Sequence, residues 1–282
     1  MNGYILVKKK AGMTSHDVVN IARKKLNIRK IGHTGTLDPF AEGLLILLIG
    51  NATKLAYLFD GLDKTYQGEI SFGKLFDTLD LTGEVLQEKE PNLSAKSIDE
   101  TLRFFTKKYA QFPPIYSAIK VDGKKLYEYA REKKDVIITP REVEVYSFER
   151  LSEITNNSFT FEASVSSGTY IRSLAFDLGK HMNELAYLSK LNRTSICVYS
   201  VADAVEVDDI AIGNIIPDIE IFKAVETKLV LDDYLIKLVR NGVALDERQI
   251  VTDKPFLVYD RNDNLVAYYE VSGKQYKVGY LF

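Results

Sequence analysis

The chain is predicted to be an α+β protein, with a mixed β-sheet and flanking helices in a large N-terminal part and a small β-rich module at its C-terminus. Three observations lead there. Segments alternating apolar and polar residues at the period of a strand are interleaved with segments of helical spacing, in no regular βαβ order. The 282 residues exceed what one core usually serves, so a large unit plus a small one is expected. After Pro217 the composition turns acidic and strand candidates follow in close succession, which sets the expected units at 1–224 and 225–282.

In chain order, Tyr4 to Val7 reads as a strand. Thr14-Ser15-His16-Asp17 offers N-cap side chains to a helix carrying Val18, Ile21, Ala22 and Leu26 on one side. Gly32-His33-Thr34-Gly35-Thr36-Leu37-Asp38-Pro39 has two glycines, and its Asp-Pro step disfavours α geometry at Asp38, so it is expected to be a loop. The apolar run Leu44 to Ile49 is expected to hold that loop by packing. Tyr66 to Phe72, Val143 to Phe148 and the alternation Phe159, Phe161, Ala163, Val165 are strands. Ser97-Ile98-Asp99-Glu100 has the capping-box pattern in front of Leu102, Phe105 and Tyr109; Lys124 to Arg131 and Tyr170 to Met182 are further helical stretches. In the C-terminal part, Asp232-Asp233 starts a helix that Asn241-Gly242 stops, followed by strands at Phe256 to Tyr259, Leu265 to Val271 and Tyr276 to Leu281.

Composition narrows the function classes. Hydrophobic residues make up 46% and charged residues 27%, an ordinary globular balance. The longest apolar run falls far short of the roughly 20 residues a membrane span needs, and residues 1–10 lack the apolar centre of a secretory leader. No membrane association is expected, and the cytoplasm is the expected location. One cysteine, Cys197, cannot form an internal disulfide, and His16, His33 and His181 lack metal-ligand spacing, so neither a metal nor thiol redox chemistry is expected. Neither the phosphate-cradling P-loop nor the glycine-rich dinucleotide pattern occurs. The net charge of −2 hides an uneven distribution: residues 1–60 carry +5 and 101–150 carry +4, against −5 over 61–100 and −6 over 201–282. Two basic blocks facing one cleft would attract a polyanion, although solvated helix faces are the commoner explanation of such runs.

A carboxylate in a glycine-flanked loop can act as a nucleophile if its position is fixed and a cation keeps it ionised. Asp38 is such a candidate, although by itself it reads more readily as a turn-forming aspartate before proline.

Six ordered segments carry more: Lys9-Lys10-Ala11-Gly12-Met13-Thr14-Ser15; Gly32 to Pro39 running into Ala41-Glu42-Gly43-Leu44-Leu45; Asp63-Lys64-Thr65-Tyr66; Gly73 with Asp77-Thr78-Leu79-Asp80 and Gly83; Phe112-Pro113-Pro114-Ile115-Tyr116-Ser117-Ala118-Ile119-Lys120; and Gly168-Thr169-Tyr170-Ile171-Arg172. Together they resemble the bacterial tRNA pseudouridine synthase B (TruB) family over nearly the whole chain. The resemblance implies a pseudouridine synthase-like catalytic domain with a PUA-like C-terminal module. It implies isomerisation of a tRNA T-loop uridine, conventionally numbered 55, with no metal, nucleotide or organic cofactor. The T-arm of tRNA would be the partner, and no protein partner is implied. On family analogy Asp38 is the catalytic carboxylate, Arg172 its guanidinium partner, and Tyr66 the ring that stacks on the target base. His33 would support the flipped loop, and Tyr170 and Leu188 would wall the pocket. The basic segment around Lys107-Lys108 and Lys120 to Lys134 matches a family insertion that closes over the T-arm. One departure is plain: the family's Lys-Pro-x-Gly is here Lys9-Lys10-Ala11-Gly12, without the proline's fixed φ.

Two other classes of function remain open at this level. One is a non-catalytic tRNA-binding or tRNA-folding protein, and the other is an N-glycosidic bond hydrolase in which the same carboxylate serves attack by water.

Overall fold

The computed structural model describes residues 1–282. Its N-terminal sheet is assembled from β1 (Gly3–Lys9), β2 (Ile31–His33), β3 (Glu42–Ile49), β4 (Lys64–Phe72), β5 (Lys108–Gln111), β6 (Arg141–Arg150), β7 (Ser158–Val165) and β8 (Ala186–Ile196). The spatial order along the sheet is β1-β3-β8-β4-β7-β6-β5, with β2 beside β3. Most neighbours are antiparallel, but β3 and β8 run parallel, in register only at Glu42 with Asn192 and Gly43 with Arg193. Beyond Arg193 that edge of β8 is taken up by Tyr199–Ser200, which pair with Ser195 and Ile196, and towards its other end Asp80 bridges to Leu188. Gly43 permits the junction: its φ is +109°, and a Cβ there would lie 2.4 Å from the Arg193 carbonyl oxygen.

Helices α1 (Ser15–Leu26), α2 (Ala95–Phe105) and α3 (Ile171–His181) cover the sheet. Thr14 caps α1 as the sequence predicts: its hydroxyl accepts from the Asp17 N–H at 3.1 Å, and the Asp17 carboxylate accepts from the Thr14 N–H at 2.9 Å. Val18, Val19, Ala22 and Leu26 then pack on Ile5, Val7, Leu45 and Leu47. The larger core joins Ile98, Leu102 and Phe105 of α2 and Leu174, Ala175 and Leu178 of α3 to Ile70, Phe159 and Phe161 of the strands. Burying each such side chain contributes about 1.5–3 kcal/mol.

The sequence reading needs three adjustments. The capping residue of α2 is Ser94, whose hydroxyl accepts from the Ser97 N–H at 3.1 Å, so Ser97 lies inside the helix. Asp99 faces outward to pair with Arg150 rather than capping anything. The helix expected from Lys124 begins at Leu126, because Lys124–Lys125 first pair as a short strand with Lys120–Val121. The eleven-residue β8 has no counterpart in the reading, since breaks in register after Leu188 and after Arg193 spoil its period-two pattern.

At the C-terminus, β9 (Lys228–Val230), β10 (Leu245–Asp246), β11 (Phe256–Tyr259), β12 (Leu265–Ser272) and β13 (Gln275–Leu281) form a separate sheet in the order β9-β11-β12-β13-β10. Helix α4 (Asp233–Arg240), capped by Asp232, lies on it. This unit is fastened to the rest through Phe222, Leu257, Tyr268 and Tyr280, which share a core with Ala52 and Leu55. No helix is long and apolar enough to cross a membrane.

Candidate functional site

The segment Thr34 to Pro39 leaves β2 and is fastened from four directions. The Leu37 N–H donates to the Ser15 hydroxyl at 2.9 Å, tying the loop to the start of α1, and the Leu37 side chain is buried. Lys9 is fully buried, and its ammonium donates to the carbonyls of Met13 at 2.7 Å, Lys10 at 3.1 Å and Pro39 at 3.4 Å. Gly12 N–H also donates to the Pro39 carbonyl at 2.8 Å. These bonds fix the turn where the family proline is absent, and Lys10, in its place, reaches out to Asp208 at 2.6 Å. From β8, buried Arg193 donates to the carbonyls of Leu44 at 2.8 Å and Gly35 at 3.1 Å. Burial and the Lys9 ammonium's cationic neighbour Arg193 pull the Lys9 pKa down to about 8, with Asp38 acting in the opposite sense.

So held, Asp38 meets Arg172 of α3. Arg172 Nη2 donates to Asp38 Oδ1 at 3.1 Å, while Nε stands 2.9 Å from Oδ2 with its N–H directed off that oxygen. The same guanidinium donates from Nη1 to the Thr78 carbonyl at 2.8 Å and from Nη2 to the Tyr116 carbonyl at 3.0 Å. It also lies 3.3 Å from Asp80 Oδ2. Arg172 is 4% exposed, whereas a third of the Asp38 side chain opens to the cavity, so the arginine is a buried anchor and the carboxylate is the accessible member. Burial raises the pKa of Asp38, Arg172 pulls it back, and the charge of Asp80 raises it further.

Both face a cavity of about 330 Å³ that Tyr66, Tyr170 and Leu191 also line. Tyr66 lies on β4 directly across from Ala163 and Arg193, and only 7% of it is exposed. Tyr170 is the N-cap residue of α3, reached through Gly168, whose φ of +84° suits a residue without a side chain. Lys64, Arg141 and Arg193 bring further positive charge to the lining. Lys64 is lowered to about 8, first by burial and then by Arg193.

The structure thus gathers Asp38, Tyr66, Tyr170 and Arg172 around one cavity. His33 stays outside the lining, at the root of the loop, where its Nδ1 accepts from the Gly35 N–H at 3.4 Å. Burial, and then the charges of Arg193 and His16, lower its pKa. Leu188 is corrected: it is fully buried in the core, with its backbone bonded to Leu79 and Leu81, and the aliphatic wall is Leu191. The register break between Leu188 and Lys190 moves the pocket-facing leucine three residues on. Asp80 was legible as part of Asp77-Thr78-Leu79-Asp80, but no pattern in that segment says it folds onto Arg172. Leu79, in the left-handed region at φ 62°, makes that turn.

Residues 23–171 match the family model described as TruB family pseudouridylate synthase (N terminal domain). A tRNA pseudouridine synthase B of Acholeplasma laidlawii (strain PG-8A) is 50% identical over 282 residues, covering 100% of both chains. One of Streptococcus gordonii (strain Challis) is 39% identical over 289 aligned positions, covering 98% of each. Among solved structures, a chain of a Cbf5-Nop10-Gar1 complex superposes with a TM-score of 0.70 at 24% identity, over 99% of this chain and 85% of that one. A chain of an H/ACA RNP bound to a substrate RNA containing 2'-deoxyuridine gives 0.68 at 23% identity, over 99% and 84%. These structural likenesses bear on the fold.

Proposed function

The chain belongs to the TruB family of pseudouridylate synthases, and from that premise we propose that it isomerises the T-loop uridine of tRNA, position 55, to pseudouridine with Asp38 as the catalytic carboxylate. The observation that carries the reading is the pairing of a partly open Asp38 with a buried Arg172 beside Tyr66 in one cavity. At about 330 Å³, near the floor of the roughly 300–1,000 Å³ range of small-molecule sites, the cavity suits one nucleotide and excludes a duplex. The target base must therefore leave its stack, at a cost of about a few kcal/mol, offset by contact with Tyr66, Tyr170 and Leu191.

The reaction breaks the N1–C1′ bond, turns the base, forms C5–C1′, releases the C5 proton and protonates N1, so substrate and product are isomers. An ionised Asp38 serves it either by attacking the nucleotide or by taking a sugar proton. Arg172 holds the carboxylate's charge and aim, as a forked guanidinium does well. Tyr66 stacks on the base and assists departure of the C5 proton. We assign catalysis to residues 1–224 and treat 225–282 as an appended PUA-like module. The T-arm is the RNA element engaged, and the reaction is placed in the cytoplasm. The test is incubation with an unmodified tRNA transcript, mapping of pseudouridine and assay of free uracil. Pseudouridine at position 55 without uracil is expected. Free uracil would indicate a hydrolase, and unchanged RNA a binding protein.

A further inference from the structure

Gln111 ends β5, just before the segment 112–140 that separates β5 from β6, and its side chain is buried with 1% exposure. Its carboxamide grips both backbone groups of one residue: the Tyr170 N–H donates to Gln111 Oε1 at 2.8 Å, and Gln111 Nε2 donates to the Tyr170 carbonyl at 3.2 Å. A planar amide bonded at both ends to a single residue fixes that residue's position and tilt together, as a strand partner would. Tyr170 has no side-chain cap of its own to steady α3. Its carbonyl also receives the Leu174 N–H at 3.0 Å, the first turn of the helix. Arg172 follows two residues later.

A second link lies alongside. The Ser173 hydroxyl donates to the Phe112 carbonyl at 2.8 Å, and Arg172 itself donates to the Tyr116 carbonyl. The start of α3 is therefore joined at three points to the root of the 112–140 segment. Behind Gln111, Nε2 also lies 2.6 Å from the Tyr109 hydroxyl, which donates to Asp177 at 3.2 Å.

We propose that Gln111 is a positioning residue for the reaction: by clamping the Tyr170 peptide it sets the angle at which α3 presents Arg172 to Asp38. This rests on the proposed function above. A tilt of roughly 10° at Tyr170, carried along an arginine about 7 Å long, displaces the guanidinium by about 1 Å, and a misplacement of that size costs on the order of a hundred-fold in rate.

The experiment compares three single variants of the full chain in single-turnover and steady-state pseudouridine formation on an unmodified tRNA transcript, with a thermal melt of each. Gln111→Met keeps the shape and loses both bonds; Gln111→Glu keeps the acceptor for the Tyr170 N–H and, when ionised, loses the donor. Ile98→Val opens a small gap in the core under α2 and touches no bond of the clamp. Gln111→Met is expected to lose about ten- to a hundred-fold in kcat with KM for tRNA unchanged within about two-fold. Gln111→Glu is expected to lose kcat in the same sense, and it carries the test if the methionine variant does not fold. Ile98→Val is expected to lower the melting temperature while keeping kcat within about two-fold. Wild-type kcat in the folded Gln111 variants overturns the proposal, as does a loss confined to KM or an equal kcat loss in Ile98→Val. A wild-type chain that makes no pseudouridine overturns the functional reading, and the positioning role with it.

Discussion

Replacing Arg172 by lysine keeps the charge and removes the fork. In the structure the guanidinium spans two carboxylates and two carbonyls: it donates to Asp38 and Tyr116 from Nη2 and to Thr78 from Nη1, with Nε lying beside Asp38 Oδ2 and Nη1 beside Asp80. A lysine ammonium delivers its three donors from a single point. If it stays with Asp38, the Thr78 carbonyl loses its donor and Asp80, 3% exposed, loses its counter-cation. The charge-assisted bond to Thr78 contributes about 1.5–3 kcal/mol, and leaving the buried Asp80 charge without its cation costs about 1–3 kcal/mol more. If about 3 kcal/mol of that falls on alignment of the reacting carboxylate, kcat falls roughly a hundred-fold. The loss also depends on pH. Burial already raises the Asp38 pKa and Arg172 is its chief opposition, so weakening the pair raises it further. Since the reaction needs the ionised form, Arg172→Lys should suffer more at pH 6 than at pH 8. Tritium release from a transcript labelled at uridine C5 measures this. A kcat within about two-fold of wild type at both pH values would refute the fork argument. An equal loss at both pH values would refute its electrostatic half.

Asp38→Asn is expected to abolish pseudouridine formation while tRNA binding, measured by filter retention, stays within about a few-fold. Leu191→Ala should cut turnover with little change in melting temperature, whereas Leu188→Ala should cost about 2–5 kcal/mol of stability and leave the folded enzyme's kcat near wild type. Asp177 titrates at about 6 because it is buried, with Tyr109 and Lys180 opposing the shift. A raised carboxylate contributes stability below its unfolded pKa that is lost as pH rises through about 6, so Asp177→Asn should raise the melting temperature more at pH 8 than at pH 5. If four lysines or arginines meet phosphates, affinity for tRNA should fall about a hundred-fold between 50 and 200 mM salt, and a flat response would exclude that contact.

The local elements were legible where a cap or an unbroken alternation wrote them. Thr14 with Asp17 starts α1, and Phe159 to Val165 alternates cleanly into the sheet because one face meets α2 and α3. Of the site, Asp38 stood out as a carboxylate in a glycine-flanked loop, its role together with Tyr66, Tyr170 and Arg172 came through motif resemblance, and composition gave none of them. What escaped depends on the third dimension. The shift from Leu188 to Leu191 follows from a bulge, which alternation does not encode. Asp80, Gln111 and Arg193 reach their partners across 92, 59 and 158 positions of sequence, read from Asp80 to Arg172, Gln111 to Tyr170 and Arg193 to Gly35. Only the folded sheet brings them together.

The charge of the cavity resolves how a chain of net charge −2 can attract a polyanion. Four cations line it, Lys64, Arg141, Arg172 and Arg193, against the carboxylates Asp38 and Asp60. Arg172 is already matched by Asp38 and, from behind, by Asp80. Arg193 bonds only to carbonyl oxygens and has no carboxylate within 4 Å, and Lys64 is held down to about 8 by burial and by Arg193. Buried cations left in this state are stabilised by an arriving anion more than surface cations are, because less water screens them. Of the acidic stretches, the one over residues 61–100 (−5) itself supplies Lys64 and Tyr66 to the lining, whereas the one over 201–282 (−6) supplies no residue to it. The cations gathered at the cavity, rather than the average charge of the chain, set the local attraction for a polyanion.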